Sequence, residues 1–81
     1  MDKSIYTIEY KVFSNLLIEC REKKGLLQEE LAKRLNTSRT QISRYENGLI
    51  RLDIVQIHHY LTALDITLQE FIEEYLKRIK R

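Results

Sequence analysis

The sequence predicts an all-α protein of five helices, and three observations carry that prediction. The 81 residues contain no proline and only two glycines, Gly25 and Gly48, which is too few turn formers for a β-rich chain of this size. Apolar residues recur at steps of three and four along most of the chain, the period of a helix with one buried face. Three short motifs also read as helix starts, each an oxygen-bearing residue with Gln or Glu three positions on: Ser38 with Gln41, Asp53 with Gln56, and Thr67 with Glu70.

Helix 1 is expected from about Thr7 to Lys24, with Tyr10, Phe13, Leu17 and Cys20 forming its apolar stripe. Tyr6, Ile8, Tyr10 and Val12 also alternate with polar neighbours at the period of a strand, so a strand paired between subunits is the alternative there. The three-and-four pattern runs unbroken through Leu17 and favours helix. Gly25 ends this helix, because it enters the left-handed region without penalty.

Helix 2 follows from Gln28 to about Leu35 and turns Leu31, Ala32 and Leu35 inward. It starts without a side-chain cap, since Leu27 has no acceptor, although Glu29 and Glu30 suit the positive end of the helix dipole. Asn36 makes the next turn. Helix 3 opens at the cap Ser38 and ends at Asn47-Gly48, and helix 4 opens at Asp53 with Ile54, Ile57, Leu61 and Leu64 inward. Helix 5, residues 67–80, carries Leu68, Phe71, Ile72, Tyr75, Leu76 and Ile79 as one wide stripe. The whole of residues 1–81 fits a single domain.

Composition narrows the function. The single cysteine, Cys20, excludes an internal disulfide, fits a reducing cytoplasm, and lies on an apolar face as a small core residue. No apolar run is long enough for a membrane span and no leader pattern is visible, so a cytoplasmic protein without membrane contact is expected. His58 and His59 are adjacent and therefore diverge on a helix, with no further ligand at metal-binding spacing. Without a glycine-rich phosphate loop or a catalytic constellation, no enzyme, metal, cofactor or small-molecule ligand is expected.

The formal net charge is only +2, but its distribution is uneven. Residues 21–51 hold eight basic groups against four acidic ones, a net +4, and each flank sums to −1. Positive potential is thus concentrated on the middle third, as a phosphate-facing surface requires. A helical wheel at about 100° per residue separates Ile42, Tyr45 and Glu46 from a polar side holding Arg39, Thr40, Ser43, Arg44 and Asn47. Arginine donates two parallel bonds to guanine, and Ser and Thr reach donors, acceptors or the thymine methyl. Arg39, Thr40, Ser43 and Arg44 are therefore the expected base-contacting residues, and Gln28, Thr37, Asn47 and Arg51 are expected on phosphates.

The segment Gly25-Leu-Leu-Gln-Glu-Glu-Leu-Ala-Lys-Arg-Leu-Asn-Thr-Ser-Arg-Thr-Gln-Ile-Ser-Arg-Tyr-Glu-Asn-Gly48 closely resembles the Cro/C1-type (Xre-family) helix-turn-helix of bacterial and phage regulators. The resemblance extends from about Ile5 to Phe71, and the stretches Ile5–Tyr10 and Gly48–Asp53 look like a subgroup of small stand-alone regulators. It implies a lambda-repressor-like domain of five helices, with the helix-turn-helix unit at 28–48 and helix 3 in the major groove of double-stranded DNA. It also implies base contact by Ser38 alongside Arg39, Thr40 and Arg44, and a partly buried salt bridge between Arg21 and Glu46, tying helix 1 to helix 3. Leu27 and Asn36 depart from the family's usual Ser or Thr and Gly, which concerns the ends of helix 2 rather than the docking mode.

The stripe on helix 5 continues almost to the C-terminus, and Leu16 and Ile18 lie off the main face of helix 1. Apolar surface of this kind marks an interface, so a homodimer through helix 5 is expected, bound to a near-palindromic operator as a repressor. The alternative for the stripe is completion of the monomer core. The alternative for the function is an antitoxin or anti-repressor whose main partner is another protein. The basic end Lys77, Arg78, Lys80 and Arg81 is a further possible phosphate contact or a solvated helix terminus.

Overall fold

Local chemistry at the helix ends sets the architecture of the computed structural model, which describes residues 4–80, with side chains from residue 8 onward. The order is α1 (Ser4–Lys23), α2 (Gln28–Arg34), α3 (Arg39–Glu46), α4 (Ile54–Ala63) and α5 (Leu68–Ile79), with no strand among the described residues. Helix α1 begins three residues before the expected Thr7 and takes in the segment for which a strand was the alternative. Arg81, one of the possible phosphate contacts, lies outside the described residues.

Each of the first four helices stops in the same way. Gly25, Asn36, Gly48 and Asp65 all adopt positive φ, at 72°, 56°, 73° and 60°. The amide that follows each of them reaches back five residues: Leu26 to Arg21, Thr37 to Ala32, Leu49 to Arg44 and Ile66 to Leu61, at 2.9–3.3 Å. These are Schellman closures, which satisfy carbonyls that would otherwise be orphaned. Asp65 was not expected as a stop; its short polar side chain tolerates the left-handed region better than most.

The helix starts differ in strength. Asp53 and Thr67 form complete reciprocal boxes with Gln56 and Glu70. Ser38 forms half of one: its hydroxyl accepts from the Gln41 amide at 3.1 Å, while the Gln41 side chain donates instead to Tyr45 Oη at 3.0 Å. At α2 only the return bond exists, from the Leu27 amide to the Glu30 carboxylate at 2.8 Å.

Leu16, Leu17, Leu31, Ala32, Ile42, Tyr60, Leu61, Leu64 and Phe71 form the core. Three expectations are corrected here. Leu16 is buried rather than facing away, because α1 is covered on more than one side. Ile54 is 57% exposed, since the first turn of α4 extends past the core. Phe71 is buried within the single chain, its ring edge-on to Phe13 at 5.6 Å, so the α5 stripe divides between core and surface. Arg78 is not free at the basic end: it forms paired bonds to Glu19 of α1 at 2.7 and 2.8 Å and a further one to Glu74. Burial pushes the thiol of half-buried Cys20 up, against thiolate formation.

One polar cluster crosses the core. The Arg21 guanidinium donates to both oxygens of Glu46, from Nε at 2.8 Å and Nη2 at 3.0 Å, and its Nη1 donates to the Leu26 carbonyl at 2.8 Å. Gln28 of α2 donates its amide to Glu46 Oε1 at 3.0 Å. The Tyr60 hydroxyl of α4 donates to Glu46 Oε2 and lies 3.2 Å from the Leu17 carbonyl oxygen. Burial by itself would raise the Glu46 carboxyl, but the bonds from Arg21, Gln28 and Tyr60 outweigh it and hold the group below its ordinary value. The same carboxylate, by its hydrogen bond, raises the Arg21 guanidinium, and burial followed by the bond from its own hydroxyl to Glu46 drives the Tyr60 phenol far upward.

Two outcomes follow from these features. Glu46→Ala leaves Arg21 buried without its counter-charge and should cost about 3–5 kcal/mol in urea unfolding at neutral pH. A carboxyl held below its ordinary 4.5 stabilises the fold above that pH and loses the contribution as pH falls through the lower folded value. The stability gap between the parent and Glu46→Gln should therefore narrow as the pH drops below 4.5, and a gap constant with pH would contradict it. Separately, Asn36→Gly and Asp65→Gly should each raise stability by about 1 kcal/mol by relieving the left-handed backbone.

Candidate nucleic-acid interface

Helix α3 has one face locked and one face bare. Ile42 and Glu46 are buried and Tyr45 is half-buried, so the helix cannot rotate without breaking the polar cluster. On the other side Arg39, Thr40, Arg44 and Asn47 are exposed and Ser43 is half-buried. The Asn47 amide donates to Ser43 Oγ at 3.2 Å, which orders the last turn of that face. Ser38 spends its acceptor on the Gln41 amide, leaving its hydroxyl proton unspent. Exposed Thr37 lies in the turn between α2 and α3, where its amide closes the α2 terminus.

Arg51 stands in the loop after α3, its guanidinium 4.3 Å from the centre of the Tyr10 ring. The Leu52 amide donates to Tyr10 Oη at 3.2 Å, so one α1 side chain orders two successive loop residues. Nothing in the sequence pattern separated Tyr10 from the apolar stripe to which it also belongs. Gln28 departs from the expected placement: its amide nitrogen is directed into the cluster at Glu46 rather than outward.

The electrostatics of the face are simple. Among the described residues the ion pairs join Arg21 to Glu46 and Arg78 to Glu19 and Glu74. Arg39, Arg44 and Arg51 thus have no acidic partner in that set. Arg34, part of the basic middle third, instead donates to the Ala63 carbonyl at 2.9 Å and closes the C-terminal end of α4. Arginines without counter-ions on a rigid helix face are suited to phosphate oxygens and to the paired acceptors of guanine.

Among the described residues no group of three or more His, Cys, Asp or Glu side chains is placed to hold a metal ion. His58 and His59 are both exposed. No described helix is long and apolar enough to cross a membrane.

Comparison with known proteins places this geometry. The helix-turn-helix family model matches residues 17–71. No curated protein matches the chain. Among solved structures, an XRE-family like protein from Pseudomonas syringae pv. tomato is 26% identical with a TM-score of 0.86, covering 94% of this chain and 93% of that one. A point mutant of the restriction-modification controller protein C.Esp1396I is 28% identical with a TM-score of 0.83, covering 89% of this chain and 96% of that one. The match takes in α2, the turn and α3 whole, and with them both the locked and the bare faces. The chain belongs to the Cro/C1-type (Xre) helix-turn-helix family and is a DNA-binding transcription regulator.

Proposed function

We propose that the chain is a sequence-specific repressor that seats α3 of two subunits in the major groove of a near-palindromic operator. The observation that carries the reading is the bare face of α3, where Arg39, Thr40 and Arg44 project without acidic partners while the opposite side is fixed in the core. In this reading Arg39 and Arg44 donate to guanine edges, and Ser38, Thr40 and Ser43 supply shorter contacts. Thr37, Asn47 and Arg51 set the register on phosphates. Gln28 acts first by bracing Glu46, with its carbonyl oxygen left to orient a bridging group. A repressor of this kind works by occupying its site in the cytoplasm, where the DNA lies.

A dimer is favoured by the surface that the core leaves over. Ile72 and Leu76, one turn apart on α5, are 40% and 53% exposed, and Ile72 borders a groove of about 350 Å³ lined also by Phe13, Ile57, Phe71 and Tyr75. Ile8 and Ile54 extend the same apolar character onto α1 and α4. Two-fold pairing through α5 would cover this surface and hold two copies of α3 roughly 34 Å apart, one turn of DNA. The same surface would serve a different protein if the chain acts chiefly as an antitoxin or anti-repressor.

Selection from a random DNA pool should return a half-site and its inverted repeat. Replacing Arg39 and Arg44 by Ala should abolish preference for that site with an unchanged melting temperature. Unaltered selectivity in the double variant would remove α3 from the reading role. Leu76→Glu should convert the dimer to a monomer in equilibrium sedimentation and weaken operator binding, whereas a parent monomeric at high micromolar concentration would exclude the dimer.

A further inference from the structure

A polar notch beside the helix-turn-helix unit extends past the contacts proposed so far onto α1. It lies between α1 and the loop after α3, has a volume of about 440 Å³, and is lined by Lys11, Ser14, Asn15, Asn47, Gly48 and Arg51. Two of these, Asn47 and Arg51, are already placed at phosphates. Lys11 and Asn15 come from a different helix, in a stretch of the sequence whose net charge is negative, and the charge pattern gave no reason to include them.

The donors in the notch keep protons to offer, although Asn47 already gives one of its two amide protons to Ser43 Oγ. Lys11 is exposed, and among the described residues it has no acidic partner; in sequence, the positions one turn away on α1 are Thr7, Ile8, Ser14 and Asn15, none of them acidic. Arg51 is held against Tyr10 rather than against a carboxylate. The acid lining the notch, Glu46, is buried and already bonded by Arg21, Gln28 and Tyr60. At the floor, Ser14 is 4% exposed, and its hydroxyl is the buried side-chain polar atom with no hydrogen-bond partner among the described residues. Gly48 lies over it without a Cβ; one placed there would meet the Ser14 oxygen at 3.5 Å. Two cations, two amides and an unpaired hydroxyl around one opening form a donor set for an anion with several oxygens.

We propose that this notch binds a DNA backbone phosphate, with Lys11 of α1 and Arg51 of the loop closing on it from opposite sides and Asn15 and Asn47 donating their amides. The proposal rests on the reading that α3 enters the major groove, which brings Asn47 and the neighbouring opening against the same backbone. In this arrangement α1 is a second arm of the DNA-binding surface as well as a scaffold. The contact carries no sequence information and acts on affinity and register alone.

The test uses the full chain and the selected operator, with dissociation constants measured over a series of salt concentrations. Lys11→Ala should weaken operator and unrelated DNA alike and lower the slope of log K against log salt by about 1. A slope change of one unit corresponds to about tenfold in affinity at 0.1 M salt. Neutral methylphosphonate placed at successive operator positions should weaken the parent at one position where Lys11→Ala shows a much smaller loss. An unchanged slope for Lys11→Ala, with the Arg39 and Arg44 double variant still losing selectivity, overturns the notch and leaves the reading face standing. If neither variant changes binding, the reading face itself has failed and the notch with it. The exposure of Lys11 makes folding of its variant a simple control by melting.

Discussion

The carboxylate of Glu46 is the point at which four of the five helices meet. It belongs to the last turn of α3 and receives bonds from α1 through Arg21, from α2 through Gln28 and from α4 through Tyr60. Apolar packing alone would let α3 slide or turn by a fraction of a residue at small cost. A carboxylate fixed by several donors in a low-dielectric setting permits no such drift, because any displacement leaves a buried charge with fewer partners. The reading role proposed for α3 requires side chains presented with an accuracy set by base-pair geometry, and this cluster supplies the orientation that hydrophobic contact does not.

The cluster also resolves an electrostatic conflict. An acid sits one residue before Asn47, at the edge of the bare, basic face of α3. Its charge is cancelled inward by the bidentate guanidinium, so the outward-facing potential is set by Arg39, Arg44 and Arg51. A modest net charge of +2 is therefore compatible with a strongly polarised molecule. Away from this surface, the pairing of Arg78 with Glu19 and Glu74 uses cationic charge to hold α5 along α1.

Much of the fold was legible because its boundaries are written in short-range chemistry. Ser38, Asp53 and Thr67 announce helix starts through a spacing of three, and Gly25 and Gly48 announce stops. Asp65 stops α4 in the same geometry but carries a weaker local signal, so its role emerged only in the backbone. Burial was less legible. Counting a single stripe along α1 separates Leu17 correctly from solvent but misplaces Leu16, since a helix wrapped by neighbours on adjacent sides has no single buried line. The pairing of Arg21 with Glu46 was available through family resemblance, whereas the roles of Gln28 and Tyr60 depend on side chains that converge from elements far apart in sequence. The bare face of α3 was visible on a wheel because Ile42 and Glu46 define its opposite.

The weakly capped start of α2 bears on how the molecule forms and opens. With seven residues and no side-chain acceptor at Leu27, this helix lies well below the length of about 12–15 residues at which helices become even marginally stable alone. Its structure is therefore borrowed from Leu31 and Ala32 in the core and from the bond between Gln28 and Glu46. Helix α5, longer and reciprocally capped, starts from a better position. Helices α4 and α5, at 10 and 12 residues, carry the reciprocal caps that α2 lacks, so α2 leans hardest on tertiary contacts for its helical form. Of α2 to α5, α2 therefore has the weakest local support at its start, at Leu27–Gln28. A ligand touching that turn would favour its ordered form, so binding and local order there would share one equilibrium.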